Sequence, residues 1–390
     1  MRIFAALGGG DIVAAQRKEL SGDSRIGETS LTFSGQLYSY CTEQGFQALF
    51  TSYCRRADSL ETPLVRLVNV PRSEGEGGLR FHAGRVAYGL KLARMARAFR
   101  ADLALIDSGT THHFAAAAFR LLGIPVAVNF HNVRWPQGFE PRGAIARAVR
   151  ACDSWAFRHV MLAALGCSPE CGVQARVDGA GALPYFGWCA QYVPEGFEDS
   201  PPEANRKPFR LLFAGRIEDN KGVFDLLRIS AALKERCSVP VLIEICGDGS
   251  ALGPLRAAVA GGGQGDRITV RGRLERAELL AAYRRAHAVI VPTRSAFCEG
   301  MPLVCAEAVL CGRPVVTSRV SNALPVLGDA VAVAQPDDVG SYAEAVRRIA
   351  EEPALYERLR AACPGAAVQF LDRSRSYAAA VAQLVATISA

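Results

Sequence analysis

The sequence predicts an α/β protein built from two doubly wound domains, each a parallel sheet with helices on both faces. Three observations favour this fold class. The chain has 390 residues, the length of about two ordinary domains. Half of its residues are apolar and 21% are charged, which suits buried cores and excludes disordered and fibrous proteins. Short β-branched runs alternate with helical patterns, an order typical of βαβ units and a parallel sheet.

The first half, residues 1–193, is predicted to form one of these domains. Its helices are predicted at residues 35–43, 81–100, 114–122 and 143–158. Its strands are predicted at residues 2–7, 46–52, 103–106, 125–129 and 160–165. The segments predicted to remain loops at the edge of this sheet are residues 11–34 and 132–142.

The second half repeats the alternation more regularly. Its strands are predicted at residues 208–214, 240–246, 267–271, 288–291 and 314–317. Its helices are predicted at residues 222–236, 252–260, 276–285 and 302–310, with two more within 341–362. A polar, proline-rich linker at residues 194–208 precedes this domain, which spans 209–369. A last helix at about residues 370–390 is expected to pack back on the first domain.

The strongest functional signal surrounds the helix predicted at residues 302–310. Pro302 suits the start of that helix and Gly312 suits its end. Glu299 then lies in the loop before the helix, and Glu307 lies on the helix with seven residues between the two. The free N–H groups of a helix start favour phosphate, and carboxylates accept hydrogen bonds from adjacent hydroxyl groups. These residues predict a site for a sugar nucleotide.

Two cations follow the first strand of the second domain. Arg216 can bind phosphate oxygens through its fork of donors, and Lys221 adds a point charge. Because the sequence contains no Asp-x-Asp motif for a divalent metal, we expect these cations to stabilise a departing diphosphate. The alternative is that they pair locally with Glu218 or Asp219.

Glycines follow strand ends in both halves. Gly247 and Gly249 would let a base or a phosphate approach the backbone. The run at residues 8–10 follows the opening strand and could give N–H groups to a diphosphate. It does not complete the Gly-x-Gly-x-x-Gly fingerprint, because Val13 stands where the third glycine belongs. The sequence therefore argues against a nicotinamide-dependent oxidoreductase.

These motifs together resemble the retaining nucleotide-sugar glycosyltransferases of family 4, which have the GT-B fold of two Rossmann-like domains facing across a cleft. The resemblance is specific from about residue 209 to residue 362. Over the first half it is looser, and Glu195 departs from the Pro-Asn-Gly that the family usually has there.

The resemblance implies a role for each matching residue. Arg216 and Lys221 would neutralise the donor diphosphate. Glu299 would contact hydroxyls of the transferred sugar, and Glu307 would bind the ribose. Further donor-binding positions are implied at Gly9, Gly10, Gly215, Gly247, Gly249, Gly300, Met301, Pro302 and Leu303.

On the acceptor side, the resemblance places His131 at the reaction centre, against the sugar or the phosphate. His112 and His113 also follow a predicted strand, so either could be the acceptor-side base, or could cap a helix. Arg134 lies in the loop at residues 132–142 and is a further candidate for contacting the acceptor.

The predicted activity is transfer of a hexosyl group from a nucleotide sugar to a carbohydrate or lipid-linked hydroxyl acceptor. The resemblance implies retention, by front-face attack with assistance from the leaving phosphate. No metal and no cofactor is expected, since the nucleotide diphosphate sugar is itself the substrate. The predicted setting is exopolysaccharide, lipopolysaccharide or glycolipid synthesis. The alternatives are an epimerase or hydrolase of the same fold, or a non-catalytic binder of sugar nucleotides.

Most of the net positive charge lies in residues 1–190, which contain 21 Lys and Arg and 15 Asp and Glu, against 24 and 23 in residues 191–390. The helix at residues 79–100 carries six cations and no acid. It is predicted to rest on an anionic membrane, or to be a solvated face without a partner. Nucleic acid is not expected, because no aromatic residues interleave the arginines. No apolar run reaches the roughly 18 residues of a spanning helix, so we expect a cytoplasmic protein, with peripheral attachment to the inner membrane face as the alternative.

Overall fold

Two parallel sheets form the framework of the molecule, for which the computed structural model describes residues 1–22, 30–72, 77–197 and 206–389. The strands of the first half are β1 (Arg2–Ala6), β2 (Ser30–Leu31), β3 (Gln47–Ser52), β4 (Asp58–Glu61), β5 (Val65–Asn69), β6 (Leu103–Asp107), β7 (Val126–Phe130), β8 (Ala163–Gly166), β9 (Tyr185–Gly187) and β10 (Gln191–Tyr192). Eight of them form one sheet in the order β4-β5-β3-β1-β6-β7-β8-β9. Strand β4 pairs antiparallel with β5, while β2 and β10 pair with each other.

Helices cover both faces of this sheet. They are α1 (Ile12–Leu20), α2 (Phe33–Glu43), α3 (Gly78–Phe99), α4 (Ala117–Leu121), α5 (Ala144–His159) and α6 (Pro169–Asp178). Helix α1 begins where the Asp11 side chain accepts a hydrogen bond from the N–H of Ala14, so the loop predicted at residues 11–34 is wrong over this part. Residues 23–29 of that loop lie outside the described residues.

The second half contains a sheet in which all neighbouring strands are parallel. The strands are β11 (Phe209–Ala214), β12 (Val241–Cys246), β13 (Ile268–Gly272), β14 (Ala288–Val291), β15 (Val315–Thr317) and β16 (Val331–Val333), in the order β13-β12-β11-β14-β15-β16. The helices are α7 (Asp225–Arg236), α8 (Leu252–Gly261), α9 (Arg276–Arg285), α10 (Leu303–Leu310), α11 (Leu324–Leu327), α12 (Val339–Glu351) and α13 (Pro353–Ala367).

Strand order explains where ligands can bind. The order reverses beside β1 in the first sheet and beside β11 in the second. The connections leaving the two strands at such a point run in opposite directions and leave a crevice at the carboxyl ends. The residues that follow β1, β6, β11 and β14 therefore lie at the two crevices.

The last helix, α14 (Tyr377–Ser389), belongs to the first sheet although it follows the second in the chain. It packs against α2 and β9, and its buried residues Tyr377, Ala380, Val381 and Leu384 join the core of the first sheet. Residues 198–205 of the predicted linker lie outside the described residues. Within the described residues, no helix combines the length and apolar character that crossing a bilayer requires.

Candidate active site

Two predicted site residues meet in an ion pair at the crevice of the second sheet. Lys221 ends a turn of 3-10 helix after β11, and Glu299 lies in the loop between β14 and α10. The Lys221 Nζ contacts Glu299 Oε2, and the side chains are only 14% and 9% exposed. The ring of Phe297 lies 4.0 Å from the same Nζ. The cation and the carboxylate are therefore held together in a largely desolvated place, where charges interact strongly.

Arg216 lies at the mouth of the same crevice. Its side chain is 56% exposed, and its Nη1 donates to Glu218 Oε1 at 3.2 Å. Its guanidinium also lies 5.3 Å from the ring of Phe297. The local pairing considered from the sequence therefore occurs for Arg216, whereas Lys221 pairs across the crevice with Glu299. An exposed ion pair is weak, so Glu218 does not prevent Arg216 from turning to an anion.

Glu307 lies on α10 and is buried, with 6% of its surface exposed. Its Oε2 accepts a hydrogen bond of 2.6 Å from the hydroxyl of Tyr283 on α9. Burial, together with the charge of Glu307, holds the pKa of Tyr283 well above its usual value. The tyrosine therefore stays a donor and fixes the position of this carboxylate.

The two predicted glycine turns of the second sheet lie against each other. Gly215 follows β11 and Gly247 follows β12, at positive φ values of 148° and 142°. A Cβ added at Gly247 would overlap the carbonyl oxygen of Gly215. Gly249 is also tightly placed, against the carbonyl of Ile217. Only glycine allows the two strand ends to approach so closely at the crevice.

The loop that carries Glu299 also contacts the first half of the chain. A Cβ on Gly300 would overlap the carbonyl oxygen of His131. The N–H of Val133 donates to the Glu299 carbonyl at 3.4 Å, and Met301 packs against the cores of both sheets. The loop after β14 and the loop after β7 therefore meet at this point.

The start of α10 lies beside this contact. Pro302 precedes the helix as its N-cap, and the helix begins at Leu303. The carbonyl of Leu303 accepts a hydrogen bond from the hydroxyl of Tyr192 at 3.3 Å. The predicted donor-binding run at residues 300–303 thus lies between the Lys221–Glu299 pair and the first sheet.

We expect Gly300→Ala to destabilise the protein by about 1–3 kcal/mol, because the added methyl group overfills a closed contact. The same change should lower transfer activity, since it pushes apart the loops that hold Glu299 and His131. Urea unfolding and a product assay measure the two effects. Gly253→Ala is the matched control, because no atom lies within 4 Å of its added Cβ. Equal behaviour of the two variants would contradict the closed contact.

His131 follows β7 directly and is oriented by a buried aspartate. Its Nε2 lies 2.8 Å from Oδ2 of Asp107, which ends the neighbouring strand β6 and is 1% exposed. Asn129 Nδ2 donates to the other oxygen of Asp107 at 2.9 Å. The Phe33 ring packs on the imidazole with 4.1 Å between centroids. The structure thus adds Asp107 to the site residues that the sequence motifs indicated.

Two family models match the chain. The model described as glycosyl transferases group 1 matches residues 196–364. The model described as glycosyl transferase 4-like domain matches residues 32–170. The chain belongs to the group 1 glycosyltransferases. The predicted family is therefore confirmed, and glycosyl transfer is the activity of this protein.

Individual relatives of this glycosyltransferase are distant. It is 25% identical over 267 residues to alpha-D-kanosaminyltransferase of Streptomyces kanamyceticus, an alignment that covers 65% of this chain and 68% of that protein. It is 27% identical over 290 residues to glycogen synthase of Mycobacterium tuberculosis, covering 69% of this chain and 66% of that protein. The chain therefore spans about two thirds of the length of these relatives.

The solved structures that resemble the glycosyltransferase share its fold. The HepE protein of Anabaena, in complex with UDP and glucose, superposes with a TM-score of 0.64 at 16% identity, over 100% of this chain and 99% of that chain. The fold is GT-B, with two Rossmann-like domains, as the sequence predicted.

The glycine run of the glycosyltransferase lies at the crevice of the first sheet. Gly8 follows β1 at a φ of +47°, and its added Cβ would lie 3.9 Å from Oδ2 of Asp107. A Cβ on Gly9 would press on the ring of Tyr53, whereas no atom lies within 4 Å of one on Gly10. The run is therefore close to His131 through Asp107, on the other domain from Lys221.

The three acceptor-side candidates of the glycosyltransferase, His112, His113 and Arg134, line one cavity of about 890 Å³ in the first domain. The Arg134 guanidinium is only 9% exposed and forms ion pairs with Asp153, at 3.1 Å, and with Asp178. Burial lowers the pKa of Arg134 to about 10 despite these partners. These ion pairs indicate that Arg134 stabilises the wall of the cavity.

The two neighbouring histidines are also engaged by other side chains. His112 lies with its Nε2 3.0 Å from Nδ1 of His82 and stacks on Phe114. His113 packs against the rings of Phe130 and Phe157. Of the three histidines left open by the sequence, His131 is the one whose backbone lies against Gly300 in the loop that carries Glu299.

Acid should destabilise the protein through His113, because burial lowers the pKa of its imidazole from 6.5 to about 4. Between these values the unfolded chain binds a proton at this histidine and the folded chain does not, so stability falls as pH falls. From pH 7.5 to about 4.5, the free energy of unfolding should drop by about 2 kcal/mol more in the wild type than in His113→Phe. Urea unfolding at both pH values measures this. An equal drop would contradict a neutral buried His113.

The sequence motifs did not indicate the contacts that three residues make in this site, namely Asp107, Tyr283 and Phe297. Asp107 ends a buried strand, and a carboxylate at that edge of the sheet is a signal that could have been used. Tyr283 gave no such signal, because only the packing of α9 on α10 reveals its hydrogen bond to Glu307.

Proposed function

We propose that this glycosyltransferase moves a hexosyl group from a nucleoside diphosphate sugar to a hydroxyl acceptor, with retention at the anomeric carbon and without a divalent metal. One observation carries the proposal: the loop of Glu299, paired with Lys221, touches the loop of His131, paired with Asp107. A donor bound across this contact would have cations at its phosphates and polar groups around its sugar.

Donor binding would exchange the partners of Lys221. The diphosphate carries more charge than Glu299 and would draw the ammonium group to itself, with Arg216 turning in from the crevice mouth. The freed Glu299 carboxylate could then accept hydrogen bonds from sugar hydroxyls. Glu307, fixed by Tyr283, would hold the ribose. The UDP and glucose in the HepE structure support a donor of this class for the shared fold.

The transfer step is proposed to take place on one face of the sugar. The bond from the anomeric carbon to the diphosphate oxygen breaks, and the acceptor oxygen bonds to that carbon from the same side. The acceptor proton passes to the departing phosphate oxygen, so no protein nucleophile is needed. Lys221 and Arg216 stabilise the charge that develops on the diphosphate, and this electrostatic contribution is the largest one the site offers. His131 would contact the sugar or the phosphate from the other domain.

The test is a screen of nucleotide sugars with hydroxyl acceptors, followed by NMR of the product. The α-linked donors should give α-linked products, and activity should persist in excess EDTA. Inversion at the anomeric carbon or loss of activity on chelation would contradict the corresponding part of the proposal. A donor that is isomerised with no acceptor present would instead identify an epimerase, and one that is cleaved to free sugar would identify a hydrolase.

The first domain has a surface that would suit contact with a membrane. Helix α3 exposes Leu79 and Leu90, at 80% and 42%, among its cations. The outward cations are Arg80, Lys91, Arg94, Arg97 and Arg100. Arg85, which the sequence placed with them, turns inward and donates to the carbonyl of Gly109. Cations and apolar side chains on one surface suit anionic lipid, which supports a role in exopolysaccharide, lipopolysaccharide or glycolipid assembly.

We expect the protein to bind vesicles that contain phosphatidylglycerol, and to lose this binding as the salt concentration rises. Changing Lys91, Arg94 and Arg97 together to Gln should weaken binding by about 100-fold, at roughly 1 kcal/mol for each cation near the surface. The matched control changes three cations of α7, namely Arg228, Lys234 and Arg236, to Gln. Cosedimentation measures both. Equal binding by the two triple variants would contradict contact through α3.

A further inference from the structure

The cavity of about 890 Å³ in the first domain lies next to the proposed reaction centre. Ser108 lines it and accepts a hydrogen bond from the N–H of His131 at 3.1 Å. Cys298, which immediately precedes Glu299, lines it from the donor side. A volume of this size suits a small organic ligand, which for cavities means about 300–1,000 Å³. A molecule in the cavity would therefore reach the point where the two domains meet.

One wall of the cavity is aliphatic. It is formed by the first two turns of α5, where Ile145 and Val149 line the cavity together with two alanines. Arg147, on the same turns, is exposed and does not line it. Phe81 of α3 and Val133 belong to the remaining walls. This part of the lining offers surface to apolar groups, while polar side chains such as Ser108, Thr111 and Asn132 line the rest of the cavity.

The arginines that line the cavity are already engaged. Arg85 donates to the Gly109 carbonyl. Arg134 forms ion pairs with Asp153 and Asp178, and Arg150 pairs with Glu140 at 2.8 Å and with Asp178. An anionic ligand would have to compete with these carboxylates for each guanidinium. The cavity therefore favours an uncharged ligand.

Two of the three histidines that line the cavity, His112 and His113, are held in the neutral form by burial. Burial lowers the pKa of His113 to about 4, and burial also lowers the pKa of His112. Both rings are therefore neutral and present aromatic surface.

We propose that this cavity binds the uncharged, apolar aglycone of the acceptor, an alkyl chain or an aromatic ring, and holds the acceptor hydroxyl toward His131. The inference rests on the proposed function, because it names the class of molecule that accepts the sugar. It also explains why the aliphatic wall of α5 opens at Ile145, which is 58% exposed. An apolar chain can enter there from the side of the domain that α3 and α5 share.

The test is displacement of N-phenyl-1-naphthylamine, an uncharged dye that fluoresces in apolar sites. Wild-type protein should bind one dye, and glucosides with longer alkyl chains should displace it at lower concentration, by roughly threefold for each methylene. Phenyl glucoside tests whether an aromatic aglycone binds in the cavity. Octyl sulfate tests whether the cavity prefers an anionic ligand. Displacement by methyl glucoside as effective as by octyl glucoside, preferential displacement by octyl sulfate, or no dye binding would overturn the proposal.

Variants locate the binding. Ile145→Gln and Val149→Gln make the wall polar, and Ala146→Phe fills the space while remaining apolar, so each should weaken dye binding by about tenfold or more. Leu121→Gln is the matched control, because Leu121 is 86% exposed on α4 and does not line the cavity. Unchanged dye binding in all three cavity variants, with folding verified by melting temperature, would also overturn it.

This readout is independent of the donor site. Lys221→Ala should bind the dye as the wild type does. Failure of nucleotide sugars to raise the melting temperature of the wild type would count against the proposed function and leave the dye result standing. If the dye fails to bind while nucleotide sugars still stabilise the protein, the aglycone site is contradicted and the proposed function is not.

Discussion

Replacing Lys221 by alanine is expected to reduce kcat/KM for glycosyl transfer by about 10²–10³-fold, the usual effect of removing one preorganised group that stabilises developing charge. The ammonium group is held in a crevice with 14% of the side chain exposed, where Glu299 and the Phe297 ring restrict its position. Lys234→Ala is the matched control, since Lys234 is an exposed cation on the same domain. Full activity of Lys221→Ala in a product assay would refute the site.

Stability must be separated from activity in this experiment. Removing Lys221 leaves the largely buried carboxylate of Glu299 without its cation, and breaking a buried pair costs about 3–5 kcal/mol. The double variant Lys221→Ala with Glu299→Gln removes the charge as well and should recover much of that stability. It should not recover activity. A double variant that recovers both would show that the pair serves folding alone.

Replacing His131 by alanine is the second large effect, with an expected loss of about 10²-fold or more in kcat, because the imidazole is a preorganised polar group at the meeting of the two domains. Asp107→Asn should give a smaller loss, since it keeps the shape of the side chain and removes the charge that orients Nε2. Both variants should leave KM for the donor nearly unchanged if the donor is held mainly by the second domain.

The matched control is His159→Ala, because His159 is exposed at the end of α5. Steady-state kinetics with varied donor and acceptor separates the contributions. If Asp107→Asn behaves as the wild type while His131→Ala is inactive, then Asp107 does not position His131. If His131→Ala retains full kcat, the reaction centre lies elsewhere, and His112 becomes the next candidate.

Most strands of the second sheet could be located from the sequence because they are short, largely apolar runs. Helix α9 and strand β14 begin and end at the predicted residues. In the first sheet β4 was missed, since its residues alternate between half-buried and exposed at the sheet edge and read as loop. Helix α6 was missed because its buried face includes the polar residues Gln174 and Asp178, while Val173 and Val177 are exposed, which leaves no apolar stripe to detect.

The sequence predicted which strand ends carry the site residues, but it did not predict most of the contacts between their side chains. Parallel strands place their following residues at one edge, so Arg216, Lys221 and Glu299 could be grouped from the sequence. The partner of Glu307 could not be predicted, because Tyr283 meets it only through the packing of α9 on α10. The inward direction of the Arg85 side chain could not be predicted either. It depends on a hydrogen bond to the carbonyl of Gly109, which lies outside the helix.

The most direct test of the account is calorimetric titration of UDP, and of GDP and other nucleoside diphosphates in turn, into the wild type and Lys221→Ala. We expect at least one nucleoside diphosphate to bind the wild type at one site, in EDTA as well, and Lys221→Ala to weaken this binding by about tenfold or more, because a charged hydrogen bond is lost. Lys234→Ala should bind as the wild type does. Equal binding by Lys221→Ala and the wild type would contradict the claim that this crevice holds the donor diphosphate.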